Sequence, residues 1–191
     1  SATVSAYTWT TEYKVLHDSQ TNVPEADAVA FSTWMKGMVD GGYHAKAELL
    51  DLFFADTSAN SLINAAKPGT FNPTLVNAPT FTAYEGFTGV VTGNKCVNLN
   101  FRPAIDGTKI GQNNICVIIG VGNDILEDTW DFGGADIGNT KRLYIRSKGT
   151  LLGMGSTRIA SNNEIINDIQ NDYGKAHIAM SRKEASGFDG Y

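Results

Sequence analysis

Hydrophobic and polar positions alternate most regularly in the middle of the chain. Over residues 95–101, Val97, Leu99 and Phe101 fall on one side and Cys96, Asn98 and Asn100 on the other. That period of two predicts a strand with one face buried. Residues 114–121 (NICVIIGV) are apolar almost throughout and rich in β-branched side chains, which predicts a strand covered on both faces. Between them Pro103, Asp106-Gly107 and Gly111 supply turn chemistry. A half-buried strand followed by a fully buried one points to stacked antiparallel sheets, so this pair is the predicted organising element.

Before it the period changes. Phe31, Trp34, Met35 and Met38 recur at helical spacing after Pro24, Glu25 and Asp27, and Gly41-Gly42 closes the segment. A second helix is predicted over residues 43–54, with Ala47, Leu50 and Phe53 or Phe54 inward, making residues 23–54 a helical hairpin. Residues 1–22, where Tyr7, Trp9 and Thr11 alternate with Thr8 and Thr10, suit an extended arm that packs on the chain or docks on another subunit. Residues 55–80 shift to Ser, Asn, Ala and Pro and suggest an irregular connector. A β domain is predicted over residues 81–191. Its later strands are signalled by Leu143 and Ile145, by Leu151 and Leu152 after a turn at Gly149, by residues 164–169, and by Ala176, Ile178 and Met180. The fold class is therefore mainly β, an antiparallel sandwich behind a small helical hairpin. With about seven candidate strands after residue 81 and the chain ending soon after a core-like one, the expectation is a sandwich that is either incomplete or completed by a neighbouring chain.

Composition narrows the partners. A net charge of −5 and a pI of about 5.1 disfavour nucleic acid and anionic membrane. No apolar run reaches membrane-spanning length and residues 1–13 lack a signal-peptide core, so a soluble chain without an N-terminal secretion signal is expected. The 20 glycines and only 18% charged residues fit many turns and short strands. Cys96 and Cys116 are too few for a disulfide scaffold and have no zinc-type neighbours, so two reduced, buried thiols are expected, a cross-strand contact being the alternative.

One cluster carries chemical promise. Asp124, Glu127, Asp128 and Asp131 surround Trp130 in a predicted loop over residues 123–134. Carboxylates beside an aromatic equip a site for glycoside hydrolysis, calcium or a stacked sugar ring. A solvated loop with one half-buried tryptophan is the plain alternative. The spacing matches neither an EF-hand nor another carboxylate motif, so Asp128, Trp130 and Asp131 stand as ligand-binding candidates without a catalytic role. His17, His44 and His177 have no neighbouring ligands, Gly153-Met154-Gly155-Ser156 lacks nucleophile-elbow spacing, and no nucleotide fingerprint is present. No metal, cofactor or enzymatic activity is expected.

The succession PEADAVAFSTWMKGMVDGGYHAKAELLDLFF, SANSLINAAKP and VVTGNKCVNLNFRPAIDGTKIGQNNICVIIGVGND resembles bacteriophage tail-fibre or head-fibre-like virion proteins, over roughly residues 24–181. It departs from them at Cys96 and Asn98, where their first strand carries Tyr and Asp. The resemblance implies a concanavalin- or laminin-G-like jelly roll and a structural virion component of fibre or decoration type. It also implies other virion proteins as partners, homo-oligomers (trimers foremost) and contact with host-surface glycans. The competing functions are a glycan-cleaving depolymerase and a free-standing carbohydrate-binding module.

Overall fold

The computed structural model describes residues 9–88 and 93–110, and beyond these the backbone of seven strands together with the side chains of residues 116–118. The chain divides into two compact units, Ser1–Lys109 and Ile110–Tyr191. The sequence places its compositional boundary earlier, at residues 80–81.

The first unit is built on two helices. Helix α1 (Thr11–Ser19) begins where the Thr10 side chain accepts a hydrogen bond from the Tyr13 backbone N–H at 3.1 Å. Glu12 suits the positive end of the first turn. Tyr13 and Leu16, three apart, point into the core at 0% and 1% exposure. This part of residues 1–22 is therefore helical, not an extended arm. The Thr10 cap and the helical spacing of Tyr13 and Leu16 prevail over the alternation around Trp9, while Tyr7 and Thr8 lie outside the described residues. Trp9 stacks back on Tyr13 and His17, with ring centroids 5.1 and 4.7 Å apart. Thr10→Ala is expected to lower the stability of this unit by about 1 kcal/mol in denaturant melts, with loss of the cap.

Helix α2 (Glu25–Asp40) follows Pro24 and ends at Gly41, as its pattern predicts. Ala28, Ser32 and Met35 are buried, and Phe31, Trp34 and Val39 pack against the same core. Ile63 and Ala65 close that core from the connector.

The expected second helix is absent. After Gly41 there is one 3-10 turn, His44–Lys46, and the chain then runs extended, with Asp51 in an antiparallel bridge to Asn64. An isolated helix of this length is marginal in water. Here the connector offers its backbone better partners: the Asn64 side chain accepts from Leu50 N–H at 3.0 Å, and the Ala65 N–H donates to the Leu50 carbonyl at 2.8 Å.

The connector itself is held by buried amides. Asn60 imitates a strand partner for Thr21, accepting from its N–H and donating to its carbonyl, both at 2.9 Å. Ser61 Oγ accepts from Ala55 N–H, closing the short helix α3 (Ser58–Ser61) against that strand-like segment. Two small antiparallel strand pairs and a short helix complete the unit. Strand β1 (Thr74–Val76) pairs with β4 (Cys96–Asn98), β2 (Thr80–Thr82) pairs with β3 (Gly86–Thr88), and helix α4 (Pro103–Asp106) follows. The predicted alternation over residues 95–101 is observed: Val97, Leu99 and Phe101 are half-buried, whereas Cys96, Asn98 and Asn100 are exposed. Tyr84, at φ +63°, sits in the β2–β3 turn and donates its hydroxyl to Asp27 Oδ2 at 3.0 Å, tying the turn to α2.

The second unit holds two antiparallel sheets among the described residues. One has the order β11–β10–β5, from β5 (Ile115–Val121), β10 (Ala176–Glu184) and β11 (Gly187–Gly190). The other runs β6–β7–β8–β9 in chain order, from β6 (Thr129–Ala135), β7 (Arg142–Lys148), β8 (Met154–Ile159) and β9 (Ile165–Gln170). The expectations at Leu143 and Ile145, over residues 165–169 and at Ala176, Ile178 and Met180 fall on strands, while Glu164 lies outside the described residues. Gly149, Leu151 and Leu152 lie outside the described residues. Strand β5 differs from its forecast. Among the described residues it pairs with β10 alone, and Cys116 and Ile118 are exposed while Val117 is half-buried. It is an edge strand with one open face, not a strand covered on both.

Candidate functional site

The first unit carries an open cleft of about 350 Å³, lined by Phe71, Asn98, Asn100, Phe101, Arg102 and Asp106. Each wall has a local cause. Asn98 and Asn100 share the polar side of the alternating strand, and Phe101 follows on the apolar side. Asn100 turns the chain at φ +52°, which ends the pairing with β1 and brings Phe101 and Arg102 round to the cleft. Its amide is fixed, donating to the Asn72 carbonyl at 2.8 Å and to Thr74 Oγ1 at 3.2 Å. Asn98 Oδ1 accepts from Asn100 N–H at 2.9 Å.

Arg102 and Asp106 are set by α4. Proline at its first position fixes the helical start, and residues four apart meet on one side of a turn. Arg102 Nε and Nη2 each donate to a different Asp106 oxygen at 3.0 Å, and Arg102 N–H donates to Asp106 Oδ2 at 2.8 Å. These bonds, from the guanidinium first and the backbone second, hold the Asp106 carboxyl below its usual range. The fork is thus a neutral pair whose cation is pinned in place.

Phe71 crosses the cleft at φ +55°, an uncommon conformation for an aromatic residue, and meets Phe101 edge to face with centroids 5.2 Å apart. What holds it there is the amide network behind it. Asn72 Oδ1 accepts from both Asn64 N–H and Gly69 N–H at 3.1 Å, and Asn64 Nδ2 donates to the Thr70 carbonyl at 3.0 Å. The buried connector therefore reaches the cleft through Asn72, and the wall is rigid by construction.

A second fixture secures the end of this segment. Glu48 accepts from Thr108 Oγ1 at 2.9 Å and from the Thr108 and Lys109 N–H groups, while Lys109 Nζ donates to the Ala47 carbonyl at 2.8 Å. Burial raises the Glu48 pKa, but the donors from Lys109 and Thr108 outweigh it and the net shift is downward.

The residues singled out from the sequence lie elsewhere. Trp130 and Asp131 belong to β6, so the predicted loop over residues 123–134 is a strand from Thr129 onward. Pairing with β7, whose own apolar alternation is clear, captures this segment. Trp130 stands opposite Arg146, and the register shifts between Trp130 and Phe132 with Asp131 inside the irregularity. Asp124, Glu127 and Asp128 lie outside the described residues. His17 packs against Trp9 and Tyr13. Both cysteines are free, and both are exposed, not buried. Met154, Gly155 and Ser156 lie in β8. Among the described residues no three His, Cys, Asp or Glu side chains group as metal ligands, and no helix is long and apolar enough to cross a membrane. Comparison with protein-family models, curated proteins and solved structures gives no match to this chain.

Proposed function

We propose that this chain is a structural, self-assembling component of a phage particle, of fibre or decoration type. On this reading its second unit is an open jelly-roll-like sandwich completed by a second copy of the same chain, with glycan contact at the host surface. The observation that supports it is β5. Its outer edge meets no strand among the described residues, and its ICVIIGV sequence has none of the charges or prolines that guard free edges. Ile118 is 65% exposed. An uncharged strand pairs with a copy of the same protein without like-charge repulsion; β5 meeting β5 closes a two-fold pair, whereas β5 meeting another edge of its neighbour head to tail closes into a ring when the rotation allows it. Three copies is the ring that the fibre resemblance implies.

Sedimentation of the purified chain tests this. The wild type is expected to sediment as a homo-oligomer, foremost a trimer. Ile118→Lys, which puts a charge on the open strand, is expected to give monomers with an unchanged circular-dichroism spectrum. A wild type that stays monomeric at micromolar concentration would overturn the reading. Particle density that accommodates the chain would locate it on the virion.

A further inference from the structure

We propose that the cleft between Phe71 and the Arg102–Asp106 pair is a binding site for a neutral carbohydrate. This inference stands on the first unit alone and does not depend on assembly through β5. Arg102 commits Nε and Nη2 to Asp106, which leaves Nη1 with no partner among the described residues. Asn98 commits Oδ1 to Asn100 N–H, which leaves its Nδ2 likewise without one. Both groups belong to the lining of one cleft, beside the edge-to-face pair Phe71–Phe101. A ligand that uses all of this carries acceptor oxygens along one rim and a C–H face beside them, which is the chemistry of a pyranose ring.

Charge selects among sugars. Asp106 neutralises Arg102, its side chain is only 12% exposed, and the chain carries a net charge of −5. A uronate, sialate or phosphate would bring its charge up to a guanidinium already paired and to a protein that repels it. Hydroxyl oxygens of a neutral sugar accept from Nη1 and Nδ2 without disturbing the fork. The walls are ready for this without rearrangement. Asn100 is bonded to Asn72 and Thr74, Phe71 is held at φ +55°, and Arg102, though its side chain is 70% exposed, is oriented by its two bonds to Asp106, so the wall needs little ordering beyond the guanidinium end. A cleft this open, with two free donors, predicts weak monovalent affinity in the millimolar range, raised when several copies engage one polysaccharide.

The test uses the full chain on an array of neutral and acidic glycans, followed by titration of the best neutral monosaccharide. Saturable binding of a neutral sugar is expected. Asn98→Ala removes one donor from an exposed position, together with the Oδ1 that accepts from Asn100 N–H, and is expected to weaken binding by about tenfold with only a small fall in melting temperature. Arg102→Lys breaks the fork and is expected to weaken it at least as much. Binding of neutral sugars unaffected by Asn98→Ala would overturn the site. Absence of any saccharide binding, or preference for acidic glycans, would overturn the ligand assignment.

Discussion

Asn64→Ala is expected to lower the stability of the first unit by about 3–5 kcal/mol, the largest effect of any single substitution considered. Asn64 is fully buried and its side chain makes four hydrogen bonds to backbone. It accepts from Leu50 N–H at 3.0 Å and Ala66 N–H at 3.1 Å, and donates to the carbonyls of Glu48 at 3.1 Å and Thr70 at 3.0 Å. Alanine leaves those four groups, which belong to half-buried residues around a fully buried side chain, without their protein partners, and each orphaned group is worth about 1 kcal/mol. Asn64→Asp separates the two halves of the role. It keeps the acceptors but turns the two donors into a carboxylate facing two carbonyls, so it is expected to be as damaging at neutral pH and less so in acid. Chemical denaturation followed at the helix band of the circular-dichroism spectrum reports on this unit, because α1 and α2 lie in it. A loss below 1 kcal/mol for Asn64→Ala would mean the connector is anchored by something else.

Asp51→Asn is expected to act in the opposite direction, stabilising the chain at pH 7.5 by about 2–4 kcal/mol. Asp51 bridges to Asn64 through the backbone, and its Oδ1 is buried with no hydrogen-bond partner among the described residues. Burial pushes its carboxyl from 3.8 up to about 7. The sign is the reverse of the usual aspartate. With the folded value above the unfolded one, the fold favours the neutral acid and suffers no penalty below about pH 4. Stability then falls as pH rises from about 4 to 7 and is level above that. Asparagine has no charge to lose, so the variant is expected to show a flat profile over that interval and to meet the wild type in acid. Melting temperatures of both proteins between pH 4 and 8 measure this. Parallel profiles would show that Asp51 is solvated and ordinary.

The two sites together explain how an irregular segment becomes a scaffold. Asn60, Ser61, Asn64 and Asn72 replace the ladder bonds that a regular element would supply, while Leu50, Leu52, Ile63 and Ala65 anchor the same segment to the apolar core. The same network sets Phe71 and Asn100 at the cleft, and damage at Asn64 is therefore expected to weaken sugar binding as well as stability.

What the chain alone determined were the features written in local spacing. The apolar stripe of α2, its proline start and glycine end, the alternation from Val97 to Phe101, and the strands around Leu143, Ile169 and Ile178 all follow from periods of 3.6 or 2. The shared face of Asn98 and Asn100 was legible in the same way. The helix of Thr11–Ser19 was also written there, in the Thr10 cap and the spacing of Tyr13 and Leu16, but the alternating aromatics just before it carried the stronger strand signal. Only tertiary structure decided the rest, because it depends on partners far along the chain. Asn64 reaches back to Leu50 and turns an expected helix into an extended segment; β7 captures Trp130 and Asp131 into a strand; Phe71 arrives opposite Phe101 through Asn72. The exposure of β5 is of this kind too: a run of apolar β-branched residues looks the same in a strand covered on both faces and in one whose Cys116 and Ile118 face stays open at the end of its sheet among the described residues.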